Sequence, residues 1–231
     1  MWLQGTLTTM EFTMLKKRVP NNHNLTLWAE PQYQGLNVNT NHDLVSEYLS
    51  KLWRVIDASV REYPRTFAVL VELHCDLPTQ EIATCNMVMQ DFKDELDALI
   101  ADYMKRRAET GKRVYSSSVR WVWAREQKNS HVPHFHVLLL FNQDVFFELG
   151  EFHADSGSLM AMIRNAWYAA LGIPPELKRG LIHVPLNAEY QLKPSNQYAA
   201  LPGLFAHASY MCKAETKPFG QRLQCFGGSR N

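Results

Sequence analysis

The sequence predicts an α+β protein, a largely antiparallel sheet with helices packed on one face, on the strength of three observations. Some runs are β-branched and aromatic, as in "RTFAVLVELHCDLP" and "HFHVLLLF". Other stretches space their apolar residues at helical intervals. The order along the chain is helix, strand, helix, strand, strand, helix, strand, helix, which fits a split βαβ arrangement.

Residues 1–42 are rich in Asn, Thr, Gln and Pro and are expected to form a poorly structured N-terminal arm. In "NHDLVSEYLSKLWRVIDASVREYP", Leu44, Tyr48, Leu52, Val55 and Ile56 follow helical spacing and Pro64 closes the helix. The first strand follows and ends at Pro78. Thr79 then caps a long helix with Ile82, Met89, Phe92, Leu96, Leu99 and Tyr103 on one face, stopped at Gly111. Two β-like runs around Asn129, Ser130 and Pro133 read as an antiparallel hairpin. "SLMAMIRNAWYAALG" is a helix, "LIHVP" and "AEYQLK" are short strands, and "PGLFAHASYMCKAETK" is a last helix with Pro202 near its first turn. The domain is therefore placed at residues 43–217, with 218–231 as a flexible, Gly-rich tail.

Composition excludes several classes. Nowhere do eighteen apolar residues run together, and the N-terminal stretch lacks the apolar core of a signal peptide, so a soluble protein is expected. Cys75, Cys85, Cys212 and Cys225 show no CxxC spacing, which argues against a zinc site or a secreted disulfide framework.

The stretch "HVPHFHVLLLFNQD" carries the chemistry. Alternate residues of a strand share a face, so His134 and His136 point the same way, with Cα atoms about 7 Å apart. Phe135, Val137, Leu139 and Phe141 form a core surface opposite. Glu126, near the end of "RWVWARE", faces the two histidines if the hairpin is antiparallel, giving a three-ligand set with open positions for a metal. A non-haem iron oxygenase usually pairs one His with a carboxylate close in sequence, the reverse of this pattern. A cupin-type site would want a Glu about four residues after His136, and none is there. On the last helix Tyr210, Lys213 and His207 share one side, away from Leu204, Ala208 and Met211. A tyrosine beside an ammonium is a candidate nucleophile. Each motif alone also fits exposed histidines or a surface Tyr–Lys pair; Glu72 and His74, which alternate on the first strand, could reach the site, although a structural role is the expected one.

Together, "ARE", "PHFHVLLLF" and a helix carrying "YMCK" resemble the HUH endonucleases, particularly rolling-circle replication initiators. Glu126 stands eight residues before the first His and Pro133 directly before it, as in the viral initiators. More closely, "GKRVYSSSVRWVWAREQKNSHVPHFHVLLLFNQDVFFELG" with "ASYMCKAETK" looks like the inovirus-type replication protein family, which includes the prophage YagK/YfjJ C-terminal domain. The resemblance implies the ferredoxin-like or RRM-like HUH version of the split βαβ fold, in the cytoplasm of a bacterial host. It implies Mn²⁺ or Mg²⁺ held by Glu126, His134 and His136. It further implies Tyr210 attacking single-stranded or extruded origin DNA to leave a 5′-phosphotyrosyl link and a free 3′-hydroxyl, with Lys213 and more weakly His207 assisting. Host polymerase and helicase are the implied partners. Some members carry two tyrosines a helical turn apart, whereas positions 206 and 214 here are both Ala, so a one-tyrosine enzyme is expected.

Net charge is only +1, yet Lys105, Arg106, Arg107, Lys112, Arg113, Arg120, Arg125 and Lys128 crowd one short span. This suggests a basic face that would contact DNA phosphates. Two rival readings are a non-catalytic DNA-binding or autoregulatory protein on the same fold, and a metal-dependent hydrolase or oxygenase of small molecules. Intact Glu126, His134, His136, Tyr210 and Lys213 argue for the nuclease.

Overall fold

A computed structural model describes residues 17–76, 81, 86–111, 113–127, 132–151, 157–174, 177 and 180–230. The described residues start with five short strands, β1 (Arg18–Val19), β2 (Asn22–Trp28), β3 (Gln32–Tyr33), β4 (Leu36–Asn37) and β5 (Leu44–Val45). Helix α1 (Ser46–Glu62) buries Leu49, Leu52, Val55 and Ile56 and stops at Tyr63, held extended before Pro64. Next come β6 (Thr66–His74), α2 (Val88–Glu109), β7 (Arg120–Glu126) and β8 (His134–Asn142). Helix α3 (Leu159–Ala170) begins where the Ser158 hydroxyl accepts a hydrogen bond from the Ala161 amide at 3.1 Å. β9 (Ile182–His183), β10 (Glu189–Leu192), α4 (Leu201–Ser209) and β11 (Phe226–Gly228) complete the chain. The expected α2 cap at Thr79 lies outside the described residues.

The main sheet has the order β10, β6, β8, β7, β11, with β9 also on β6, and every pairing is antiparallel. The α+β class holds. The helices, however, cover both faces rather than one. Phe67, Val69, Val71, Leu73, Trp121, Trp123, Phe135, Val137 and Leu139 meet α2 and α3 on one side. Ala68, Leu70, Val122, Ala124, Leu138 and Leu140 meet α1 and α4 on the other. The cause is local: β6 and β8 carry unbroken apolar runs, Phe67–Val71 and Val137–Phe141, and such strands must be covered twice.

Two boundaries differ from expectation. Residues 18–45 are folded, with β2 pairing both β1 and β5 and Val19, Leu44 and Val45 buried. The C-terminal segment is no loose tail either, because β11 pairs with β7 as the edge strand. Glycine permits that approach: a Cβ at Gly227 would lie 2.6 Å from the Trp123 ring.

Helix α4 ends earlier than its sequence suggests. Tyr210–Cys212 form a single 3-10 turn and Lys213 is extended, bridging to Leu44 of β5. The segment after Tyr210 is thereby turned toward the end of β7, where the Gln127 amide donates to the Thr216 carbonyl at 2.9 Å.

Candidate active site

Register assembles the site at one end of the central strands. β8 pairs His134 with Glu126 of β7 and with His74 of β6, and in the next row His136 faces Ala124 and Glu72. All these side chains project to the face covered by α1 and α4, since odd-numbered Phe135 and Val137 fill the opposite core. Ala124 is small, so the His136 ring reaches diagonally to Glu126.

The geometry around Glu126 is tight. Its Oε2 lies 3.3 Å from His136 Nε2 and 3.7 Å from His134 Nε2. One ligand atom from each of Glu126, His134 and His136 falls within 4.8 Å of the others. His136 Nε2 is buried without a hydrogen bond of proper geometry, a lone pair or proton left over at the centre of the cluster. Two imidazoles, one of them with its buried Nε2 unpaired, and one carboxylate fit a divalent ion such as Mn²⁺. These residues would hold it.

Two lysines complete the cluster. Lys213 Nζ lies 2.8 Å from Glu126 Oε2, and Lys217 Nζ donates to Oε1 at 2.9 Å. Burial acts to raise the Glu126 carboxyl, but His136, Lys217 and Lys213 outweigh it and hold the group well below the usual carboxylate range. Burial pulls Lys217 down, opposed by Glu126. His134 is pushed down to about 4, chiefly by burial and then by the neighbouring His136.

Tyr210 borders this cluster. Its ring meets the His136 ring edge to face at 5.5 Å and that of His42 at 5.2 Å, and Lys213 Nζ sits over it, 3.5 Å from the centroid. Lys213 thus contacts the ring face and the carboxylate, rather than lying one helical turn along from the tyrosine. Glu72, His136, His207 and Tyr210 line one cleft of about 320 Å³. His207 is engaged elsewhere, its Nδ1 2.9 Å from the Tyr190 hydroxyl.

Glu72 and His74, expected to be structural but within reach of the site, both contact its histidines. Glu72 Oε1 lies 3.4 Å from His136 Nδ1, the ring nitrogen turned away from Glu126, and can fix that ring's orientation. His74 stacks on His134 at 5.5 Å. Lys217, His42 and Glu215, which accompanies His42 at 3.3 Å, escaped the sequence reading altogether. A lysine four residues after Lys213 was the available signal for Lys217; His42 had none, because it sits in the presumed arm.

The basic span does not converge on the site. Arg125 is fully buried on the α2 side with its guanidinium over the Phe135 ring, so it belongs to the core and not to a DNA surface. Alternation requires this once Glu126 faces the other way. Lys105, Arg106 and Arg107 lie at the C-terminal end of α2, on the opposite face. They are also at the far end, since Tyr103 packs on Phe146 beyond the end of β8. Arg106 pairs with Asp102, Arg113 lies over Tyr115, and Arg120 bonds Glu62 at 2.7 Å. Lys112 and Lys128 fall outside the described residues. Among the described residues, no helix is long and apolar enough to cross a membrane.

The uncharacterized protein YagK of Escherichia coli (strain K12) is 31% identical over 202 residues, covering 80% of this chain and 93% of its own length. The uncharacterized protein YfjJ of the same strain is 30% identical over 202 residues, covering 80% of this chain and 95% of its own. No solved structure matches. The YagK/YfjJ C-terminal domain matches residues 29–229, a span that takes in β5, the hairpin, Tyr210 and the edge strand β11, and the chain belongs to that family.

Proposed function

We propose that the protein is a rolling-circle replication initiator of a phage, prophage or plasmid, which nicks and rejoins single-stranded origin DNA through a 5′-phosphotyrosyl intermediate. The observation that carries this reading is the contact of the Tyr210 ring with His136, a member of the Glu126, His134 and His136 cluster. A nucleophile and a metal-ligand set, 74 residues apart in sequence from His136 to Tyr210, border one cleft.

Bound there, Mn²⁺ or Mg²⁺ would supply Lewis acidity to the oxygens of the scissile phosphate. The chain's own residues do the rest. Tyr210 Oη loses its proton and bonds to phosphorus, the P–O3′ bond breaks, and the released 3′ oxygen takes up a proton. Glu72 holds His136 in orientation through Nδ1. Lys213, over the Tyr210 ring, places a cation where the attacked phosphate gathers charge. Rejoining is the reverse step, attack of a 3′-hydroxyl on the phosphotyrosine.

The test is incubation with origin-region single-stranded DNA and Mn²⁺, followed by a denaturing gel. A protein–DNA adduct that requires the metal is expected. Binding without cleavage would favour the non-catalytic DNA-binding protein on this fold.

A further inference from the structure

We infer that Lys213 is the resident cation of the Glu126 site and that a divalent ion takes its place, releasing the lysine to the tyrosine side. This rests on the metal reading above. The two Glu126 oxygens are not equivalent. Oε1 is held by Lys217, whose side chain is fully enclosed. Oε2 faces His134 and His136, and it is on Oε2 that the Lys213 ammonium sits at 2.8 Å. An ion bound by the triad must use the oxygen that Lys213 now occupies. Two cations cannot share one carboxylate oxygen in a buried site without strong repulsion.

The surroundings decide which lysine yields. Among the described residues, Glu126 Oε1 is the acceptor that holds Lys217, and that contact does not obstruct the triad. Lys213 has a second place to go, because its Nζ already lies 3.5 Å from the Tyr210 ring centroid, beside the cleft that Tyr210 lines. Its backbone is anchored on both sides: the Lys213 amide donates to the Tyr210 carbonyl at 3.2 Å, and the Ala214 amide to the Asp43 carbonyl at 2.9 Å. Exchange therefore needs a side-chain rotation and no movement of the chain. While Lys213 remains on Glu126, its charge is committed there. Once displaced, it is free for the phosphate, so the cation needed for attack becomes available only on a metal-loaded protein.

Calorimetric titration of the full chain with Mn²⁺ tests the exchange. Lys213→Met keeps the stem and removes the competitor, and it should bind Mn²⁺ about tenfold more tightly, the factor expected if the open site is roughly a tenth of the population. Lys217→Met removes the same charge from the other oxygen and should not tighten binding. Equal tightening in both variants would reveal only the field of a nearby charge and would overturn the exchange. Because Lys217→Met can lose stability, crystal structures of the wild-type chain with and without Mn²⁺ provide a second measurement. Mn²⁺ on Oε2 with Lys213 Nζ withdrawn is expected; Mn²⁺ bound while Nζ stays in hydrogen-bond reach of Oε2 overturns the proposal. If wild type and both variants all fail to bind Mn²⁺, the metal reading itself falls, a result distinct from normal binding with unchanged affinity in Lys213→Met.

Discussion

Lys217 donates to Glu126 Oε1 at 2.9 Å with both side chains buried, so a strand end and a segment 91 residues later are joined by an enclosed ion pair. Removing one member of such a pair leaves a charge without solvent or partner. Lys217→Met should therefore cost about 3 kcal/mol in urea unfolding. In the double variant with Glu126→Gln the loss should fall short of the sum of the single losses by more than about 1 kcal/mol. Simple additivity would mean that the two groups do not stabilise each other.

The histidines should behave differently, since they sit at a strand mouth and contribute little to the core. His134→Ala or His136→Ala should leave unfolding nearly unchanged without metal while abolishing most cleavage, and Glu126→Ala should weaken metal affinity as well. A ligand that binds only the folded state adds about 2.7 kcal/mol at a hundred times its Kd. That metal-dependent rise in melting temperature should vanish in both histidine variants. Persistence of the rise in either would remove that residue from the ligand set.

Acid should weaken the metal-free protein in a defined window. His134 titrates near 6.5 unfolded and is pushed down to about 4 in the fold, mainly by burial. Between those values the unfolded chain binds the extra proton, so stability rises with pH there and is lost as pH falls from 6.5 toward 4. Solvent reaches one side of the ring, which limits the effect to on the order of 1–2 kcal/mol. His134→Gln should flatten this part of the stability profile, measured by urea unfolding in the presence of a chelator; an unchanged slope would place the acid sensitivity elsewhere.

Much of the site was legible because strands have a period of two. Glu126, His134 and His136 follow from alternation and one antiparallel hairpin, and the register delivers them. The same rule, applied to Arg125, places it on the opposite face, so its inclusion in a basic surface contradicted information already in the sequence. Other features were not legible. Strands of two residues, such as β1, β3, β4 and β5, carry no periodicity, which is why His42 lay hidden in an assumed arm. The end of α4 at Ser209 gave no warning, because Tyr210 through Thr216 contains neither Gly nor Pro.

The scattered cations make a prediction that depends on strand length. Arg106, Arg107 and Arg113 lie beyond the far end of β8, and nine strand residues span about 30 Å. Replacing all three with Ala should leave binding of a short oligonucleotide around the nick unaffected. A longer strand that can reach α2 should bind more weakly, with the salt slope reduced by about 0.7 per lost phosphate contact. Equal losses for short and long strands would show that these residues act on the site itself.

Tyr210→Phe separates binding from chemistry most sharply. The phenyl ring preserves the edge contacts with His136 and His42 and the face beneath Lys213, so folding and DNA affinity should persist while cleavage and the covalent adduct disappear. Tyr190 and Tyr198 are not placed to substitute. Tyr190 has its hydroxyl on His207 and its ionisation raised by burial, and Tyr198 stands in a left-handed turn before α4, packed against the core. If Tyr210 is the single nucleophile, as proposed, a protomer linked to a 5′ end could not make a second tyrosyl attack until that link is resolved. It could still pass the strand to an incoming 3′-hydroxyl, so purified adduct mixed with a cleaved oligonucleotide should yield joined product and free Tyr210. Mapping the DNA-linked peptide by mass spectrometry checks both statements, and an adduct on Tyr190 or Tyr198, or one surviving in Tyr210→Phe, would displace Tyr210 as the nucleophile.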